Sequence, residues 1–340
     1  LGAWIYIGVF VLTVPWALWE AYGDLDVLAE HFTSMADHVR SVRRRVSGSG
    51  LWDTGFQFGD WLDPTAPPEN PLEARAGSGV VATACLFRSA RTVSRAASLL
   101  GQHEAAAEFA ELAERTRLAF VEHYVDAAGR IRSDCPTVYA LAVVFGLLDA
   151  EAEQQAGDRL AELVAAAEHT ILTGFAGTPY VTNALTRTGH VDAAYALLMN
   201  RSCPGWLYQV DMGATTIWER WDSMLPDGSI NPGEMTSFNH YAFGSIADWM
   251  HRTVGGLAPL EPGYRRALVA PRPGGGLTWA RTSLQTAHGT VSVAWEIDGE
   301  QMVVDVELPA GVDALLDLVG CAPRSLEPGR HRVAVPAGAA

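Results

Sequence analysis

Lysine is missing from this chain: all 24 of its basic residues are arginine. They face 39 acidic residues, for a formal charge of −15. Such a surface excludes nucleic acid as a partner, because phosphate binding needs a basic face. It suits a neutral ligand. Cysteine is scarce, with four residues at Cys85, Cys135, Cys203 and Cys321. No CxxC or CxxH spacing joins them, so no zinc site is expected, and nothing requires disulfides. No cofactor motif is evident, and neither a metal nor a cofactor is expected. Charge is absent from residues 1–19. A run of that length approaches a bilayer span, but Pro15 and tryptophans scattered through it fit a span poorly. No charged leader or small-residue cleavage pattern accompanies it, so no signal peptide is recognised. A membrane partner is not expected, and compartment and oligomeric state stay open.

What the chain does have is aromatic area concentrated beside ionisable groups. Residues 213–249 read GATTIWERWDSMLPDGSINPGEMTSFNHYAFGSIADW. Trp218 and Trp221 flank Glu219 and Arg220, and Asn239 and His240 follow. Sugar rings present C–H faces that pack on aromatics and hydroxyls that need polar partners. A buried aromatic loop with surface charges would give the same tripeptide. The density of tryptophan in a Gly- and Pro-broken stretch favours a binding role.

Up to residue 200 the apolar spacing is helical. Eight helices are expected near 9–22, 25–46, 79–100, 103–124, 137–148, 151–168, 176–188 and 190–200, and a ninth near 236–253. Gly23, Gly101, Gly129 and Gly189 are read as stops. The longest connection, residues 47–77, holds GFQFGDW and is read as functional because loops of that length are rare otherwise. Paired helices with long loops fit an α/α barrel. Beyond Gly255 the pattern alternates, as in GTVSVAWE (289–296) and QMVVDVEL (301–308), with a hairpin expected at Asp298-Gly299. This reads as a small antiparallel β-sandwich of six to eight strands.

GATTIWERWDS and MTSFNHYAFGSIADWMHRTVGGLAP resemble the bacterial α-L-rhamnosidases, glycoside hydrolase family 78. GFQFGDWLDP (55–64), GFAGTPYVTNAL (174–185), VPWALWEAYGD (14–24) and EPGYRRALVAPRPGGGLT (261–278) agree, in the family's order. The resemblance implies an (α/α)6 toroid over residues 1–255 and a C-terminal β-sandwich over 256–340. It also implies an inverting, metal-independent hydrolysis of terminal α-linked L-rhamnose, with a rhamnose-containing glycoside or polysaccharide as partner. Carried over residue by residue, it makes Glu219 the general base and His240 a sugar or water contact. Asp60 and Trp61 become substrate-site residues, and Trp218 and Trp221 pocket-wall candidates. Asp134 is a less favoured acid, more simply a helix cap. Nine helices are fewer than a toroid's twelve, and no match to the family's general-acid segment occurs. The acid and the remaining helices are therefore expected before Leu1. The family's GWGDA-like segment is replaced by Tyr6-Ile7-Gly8-Val9-Phe10. The alternatives are an inactive sugar-binding relative or another α/α-barrel glycosidase.

Overall fold

A computed structural model describes residues 4–67 and 70–337, with side chains from Phe10 onward. The side chains of Tyr6 to Val9, in the diverged segment, lie outside that description. Eight long helices follow one another in the expected places: α1 (Trp4–Tyr22), α2 (Leu25–Arg43), α3 (Ser78–Leu99), α4 (His103–Tyr124), α5 (Pro136–Phe145), α6 (Ala150–Ala166), α7 (Thr178–Arg187) and α8 (Val191–Met199). Among the described residues, no helix is long and apolar enough to cross a membrane.

The helices differ in how much of their surface is apolar. Helix α5, PTVYALAVVF, is buried on all sides, with nine of its ten residues inside. Helices α4 and α6 bury one stripe each: Phe109, Leu112, Thr116, Ala119 and Phe120 in α4, and Ala156, Gly157, Leu160 and Val164 in α6. All-round burial marks an inner helix, and a single stripe marks an outer one. Their ends follow ordinary capping. Asp149 accepts from the Ala152 N–H at 2.9 Å at the start of α6, where Glu151 and Glu153 also oppose the helix dipole. Helix α5 stops at Gly146, whose φ of 73° is the left-handed conformation that a Cβ would penalise.

Two expectations are corrected. The ninth helix begins later than residue 236. It is a succession of a 3-10 turn (Ala242–Ser245), an α turn (Ile246–Trp249) and a π turn (Met250–Val254). An unpredicted short helix, α9 (Trp206–Asp211), precedes the tryptophan-rich segment. Its six residues carry too little periodicity to be read from sequence.

Eight strands form two four-stranded sheets, ordered β1-β2-β6-β7 and β3-β4-β5-β8. They are β1 (Leu257–Pro259), β2 (Arg266–Val269), β3 (Trp279–Thr286), β4 (Gly289–Asp298), β5 (Gln301–Leu308), β6 (Asp313–Leu316), β7 (Arg324–Leu326) and β8 (Gly329–Pro336). Pairing is antiparallel apart from β2 with β6, which run parallel. Strand β4 buries Val291, Val293 and Trp295 at alternate positions, as its period-2 pattern requires. The Asp298↔Gln301 register leaves a two-residue hairpin loop, with Gly299 at φ +60°. By packing, the chain forms two compact units, Leu1–Thr13 with Phe32–Ile246 and Val14–His31 with Ala247–Ala340.

Candidate active site

The segment after α9 is irregular, so its shape depends on individual hydrogen bonds. Gln209, on α9 and 2% exposed, clamps it from below. Its Oε1 accepts from the Trp218 N–H at 3.3 Å, and its Nε2 donates to the Arg220 carbonyl at 3.5 Å. The residue held between these two contacts is Glu219. The Glu219 N–H donates to the Ser237 carbonyl at 2.9 Å, and the His240 N–H to the Ile217 carbonyl at 2.8 Å. Two limbs, 217–219 and 237–240, thus run alongside each other, with Glu219 at one end of the pairing and His240 at the other.

Glu219 is half-buried, and its Oε2 accepts from the Ser237 N–H at 3.3 Å. That leaves acceptor capacity on the carboxylate. Neighbouring Arg220 is committed elsewhere, to Asp222 at 3.1 Å and to the Glu234 carbonyl at 3.3 Å. In His240, Nδ1 accepts from the Ala242 N–H at 3.3 Å. In the neutral ring the proton therefore sits on Nε2, which is left as a donor. The imidazole stacks on Phe175 at 4.9 Å and on Tyr241 at 5.1 Å.

The two tryptophans are largely buried. Trp218 is 2% and Trp221 3% exposed. Trp218 meets Phe238 edge-on at 5.2 Å, and Trp221 lies against Phe243 and edge-on to Trp206. Without a helix or strand to bury, the segment uses its own indoles as a core. Only part of Trp221 borders a cleft of about 220 Å³ shared with Asp63, Pro204 and Arg220. Trp61 keeps a half-exposed ring, set edge-on to Phe58 at 5.3 Å.

Asp60 is also misplaced by the sequence reading. It is wholly buried and accepts four protein donors. These are the Thr137 hydroxyl and the N–H groups of Gly174, Ala176 and Gly177, the last three at 2.9, 2.9 and 3.0 Å. Those contacts use its acceptor capacity, so no sugar hydroxyl can reach it. Burial pushes its carboxyl up to about 6, against the pull of these hydrogen bonds. Asp134 is no cap either: Cys135 occupies that position, without a side-chain bond. Arg159 grips Asp134 at 3.0 and 2.7 Å, the Tyr139 hydroxyl adds a bond at 2.6 Å, and its carboxyl is pulled down to about 2.

Beside the His240 stack lies a cavity of about 400 Å³, lined largely by apolar side chains of α1, α3, α5 and α7. Phe175 and Tyr241 both border it. Its guanidinium, Arg88, bonds the Tyr180 hydroxyl and lies over the Phe145 ring at 4.8 Å. Among the described residues no group of three His, Cys, Asp or Glu is placed to hold a metal ion. Sequence reasoning gave no role to Gln209 or Phe175. A lone glutamine carries no signal, whereas Phe175 stood inside the quoted GFAGTPY motif.

Paired helices with inner and outer members are thus followed by two four-stranded sheets. Residues 3–254 match the bacterial α-L-rhamnosidase six-hairpin glycosidase domain, and residues 256–332 match the bacterial α-L-rhamnosidase C-terminal domain. The chain belongs to the bacterial α-L-rhamnosidases, glycoside hydrolase family 78. An α-L-rhamnosidase of Streptomyces avermitilis is 40% identical over 303 residues, 89% of this chain and 28% of that protein. The crystal structure of an Aspergillus terreus α-L-rhamnosidase superposes with a TM-score of 0.92 at 38% identity, covering 96% of this chain and 38% of that one. A Streptomyces avermitilis α-L-rhamnosidase complexed with L-rhamnose gives 0.89 at 36%, covering 96% and 32%. The chain spans about a third of the length of these relatives.

Proposed function

We propose that the protein hydrolyses terminal α-linked L-rhamnosides with inversion, and that Glu219 is the general base. The observation that supports this best is the pairing of the 217–219 and 237–240 limbs, which carry a half-buried carboxylate with spare acceptor capacity and the His240 imidazole. As base, Glu219 takes a proton from the attacking water while the water oxygen adds to the anomeric carbon, the glycosidic C–O bond breaks and the leaving oxygen takes a proton from a general acid. His240 presents its Nε2–H to a sugar hydroxyl or to that water. The half-exposed Trp61 ring packs against the sugar's C6 methyl. An inverting pair of carboxyl groups stands roughly 6.5–9.5 Å apart, with the water between them. Asp60 and Asp134, the alternatives within reach of the sequence argument, are spent on other contacts.

Turnover of p-nitrophenyl α-L-rhamnoside by the full-length protein tests the assignment. Glu219→Gln should lower kcat by about 10²–10⁴-fold, the range for losing one acid–base group, and leave L-rhamnose binding in place. Near-parental turnover would remove Glu219 from the mechanism.

A further inference from the structure

Asp60 is too enclosed to touch substrate, yet its four donors all lie on elements other than its own. Three of them are consecutive or nearly so: the N–H groups of Gly174, Ala176 and Gly177. The remaining N–H of that turn, from Phe175, donates to the Trp61 carbonyl at 2.8 Å. The Asp60-Trp61 dipeptide therefore captures every amide hydrogen from 174 to 177. The approach is close enough to fix residue types. A Cβ on Gly174 would lie 2.3 Å from the Trp61 carbonyl oxygen and 2.5 Å from that of Asp60. One on Gly177 would lie 2.4 Å from the Thr137 hydroxyl.

The turn so held projects one large side chain, Phe175. Its ring stacks on His240 with 29° between planes and meets Phe243 edge-on at 5.2 Å. We infer that Asp60 is a positioning residue: by fixing the 174–177 turn it sets Phe175 against the imidazole of His240, and so orients the Nε2–H donor. A carboxylate suits this task better than a neutral group, because one side chain can accept from several converging N–H donors. The consequence for sugar binding rests on the proposed function, whereas the placement of His240 does not.

Two readouts separate these. In NMR spectra of the protein without sugar, the His240 ring protons carry the ring-current shift of Phe175. Asp60→Asn, which cannot accept from all four donors, should move those signals in the same direction as Phe175→Leu. The double variant should move them no further than Phe175→Leu alone. L-Rhamnose affinity, measured by calorimetry, should fall about tenfold in either single variant, the effect of about 1.4 kcal/mol, and should not fall twice in the pair. A folded Asp60→Asn variant with unmoved His240 signals would overturn the inference. So would additive losses of affinity. If Asp60→Asn does not fold, Thr137→Val, which removes the hydroxyl donor alone, replaces it. A shift in His240 then supports the inference and an unmoved ring overturns it. Failure of the parent protein to bind L-rhamnose would count against the proposed function alone, with the His240 signals still deciding the role of Asp60.

Discussion

The indole of Trp221 lies flat on the ring of Phe243, with centroids 4.0 Å apart and planes 16° apart. This contact ties together two parts of the tryptophan-rich segment and explains why a tryptophan beside a charged dipeptide is buried. Trp221→Ala should destabilise the protein by about 3–5 kcal/mol, as for other large aromatic deletions in cores. Trp221→Phe should cost much less. Urea unfolding measures both. Loss of sugar affinity in Trp221→Phe without loss of stability would restore the wall role.

The Asp134–Arg159 pair makes a pH prediction of definite sign. Arg159 holds the Asp134 carboxyl down at about 2 in the fold, against about 3.9 in an unfolded chain. The stability it contributes is thus complete above about pH 4 and is lost as pH falls toward 2. Asp134→Asn should flatten that part of the curve, modestly because the side chain is a third exposed. Asp60 runs the other way. Its carboxyl is raised to about 6, so its own contribution declines as pH rises through about 4 to 6. Thermal unfolding of the two variants across pH 2–7 checks both signs.

Two glycine substitutions should part stability from function. A Cβ on Gly157 would lie 2.2 Å from Thr188, and one on Gly174 would lie 2.3 Å from the Trp61 carbonyl. Each alanine variant should cost about 1–3 kcal/mol through overpacking. Gly157→Ala, where α6 meets the residue that ends α7, should leave L-rhamnose affinity unchanged. Gly174→Ala should weaken it as well.

Gln209 is the test of the clamp on Glu219. Gln209→Met keeps the size and removes both polar contacts, leaving the Trp218 N–H without its acceptor at about 1–3 kcal/mol, while the Arg220 carbonyl keeps its bonds from Ser223. Turnover by the full-length protein should drop while its substrate KM changes little. A variant with parental kcat would show that the limb pairing alone positions the base.

How much of this was legible depended on the reach of each contact. The eight long helices and the alternation of β4 and β5 are local patterns, written in residues three, four or two apart. The Asp298-Gly299 hairpin is equally local. Glu219 and His240 were found through a motif, not through periodicity, because the segment that carries them has none. Asp60, Trp218 and Trp221 turn inward, which no local pattern encodes. Which way a side chain faces is set by partners as distant in sequence as Gly174 and Phe243. The same holds for Asp134, whose partner Arg159 lies one helix further on. The parallel pairing of β2 with β6 joins strands separated by two hairpins, which no local signal encodes.

The burial of its indoles decides what light this protein emits. Of eleven tryptophans, Trp52, Trp206, Trp218, Trp221, Trp249 and Trp295 are all at most 5% exposed, while Trp279 is 63% exposed and Trp16, Trp19 and Trp61 are partly buried. Intrinsic emission should therefore be blue-shifted and dominated by residues that iodide cannot reach. A sugar seated at Trp61 would leave that bulk signal nearly constant. It would show instead as protection of one of the small quenchable fraction, against Trp279 as the built-in reference.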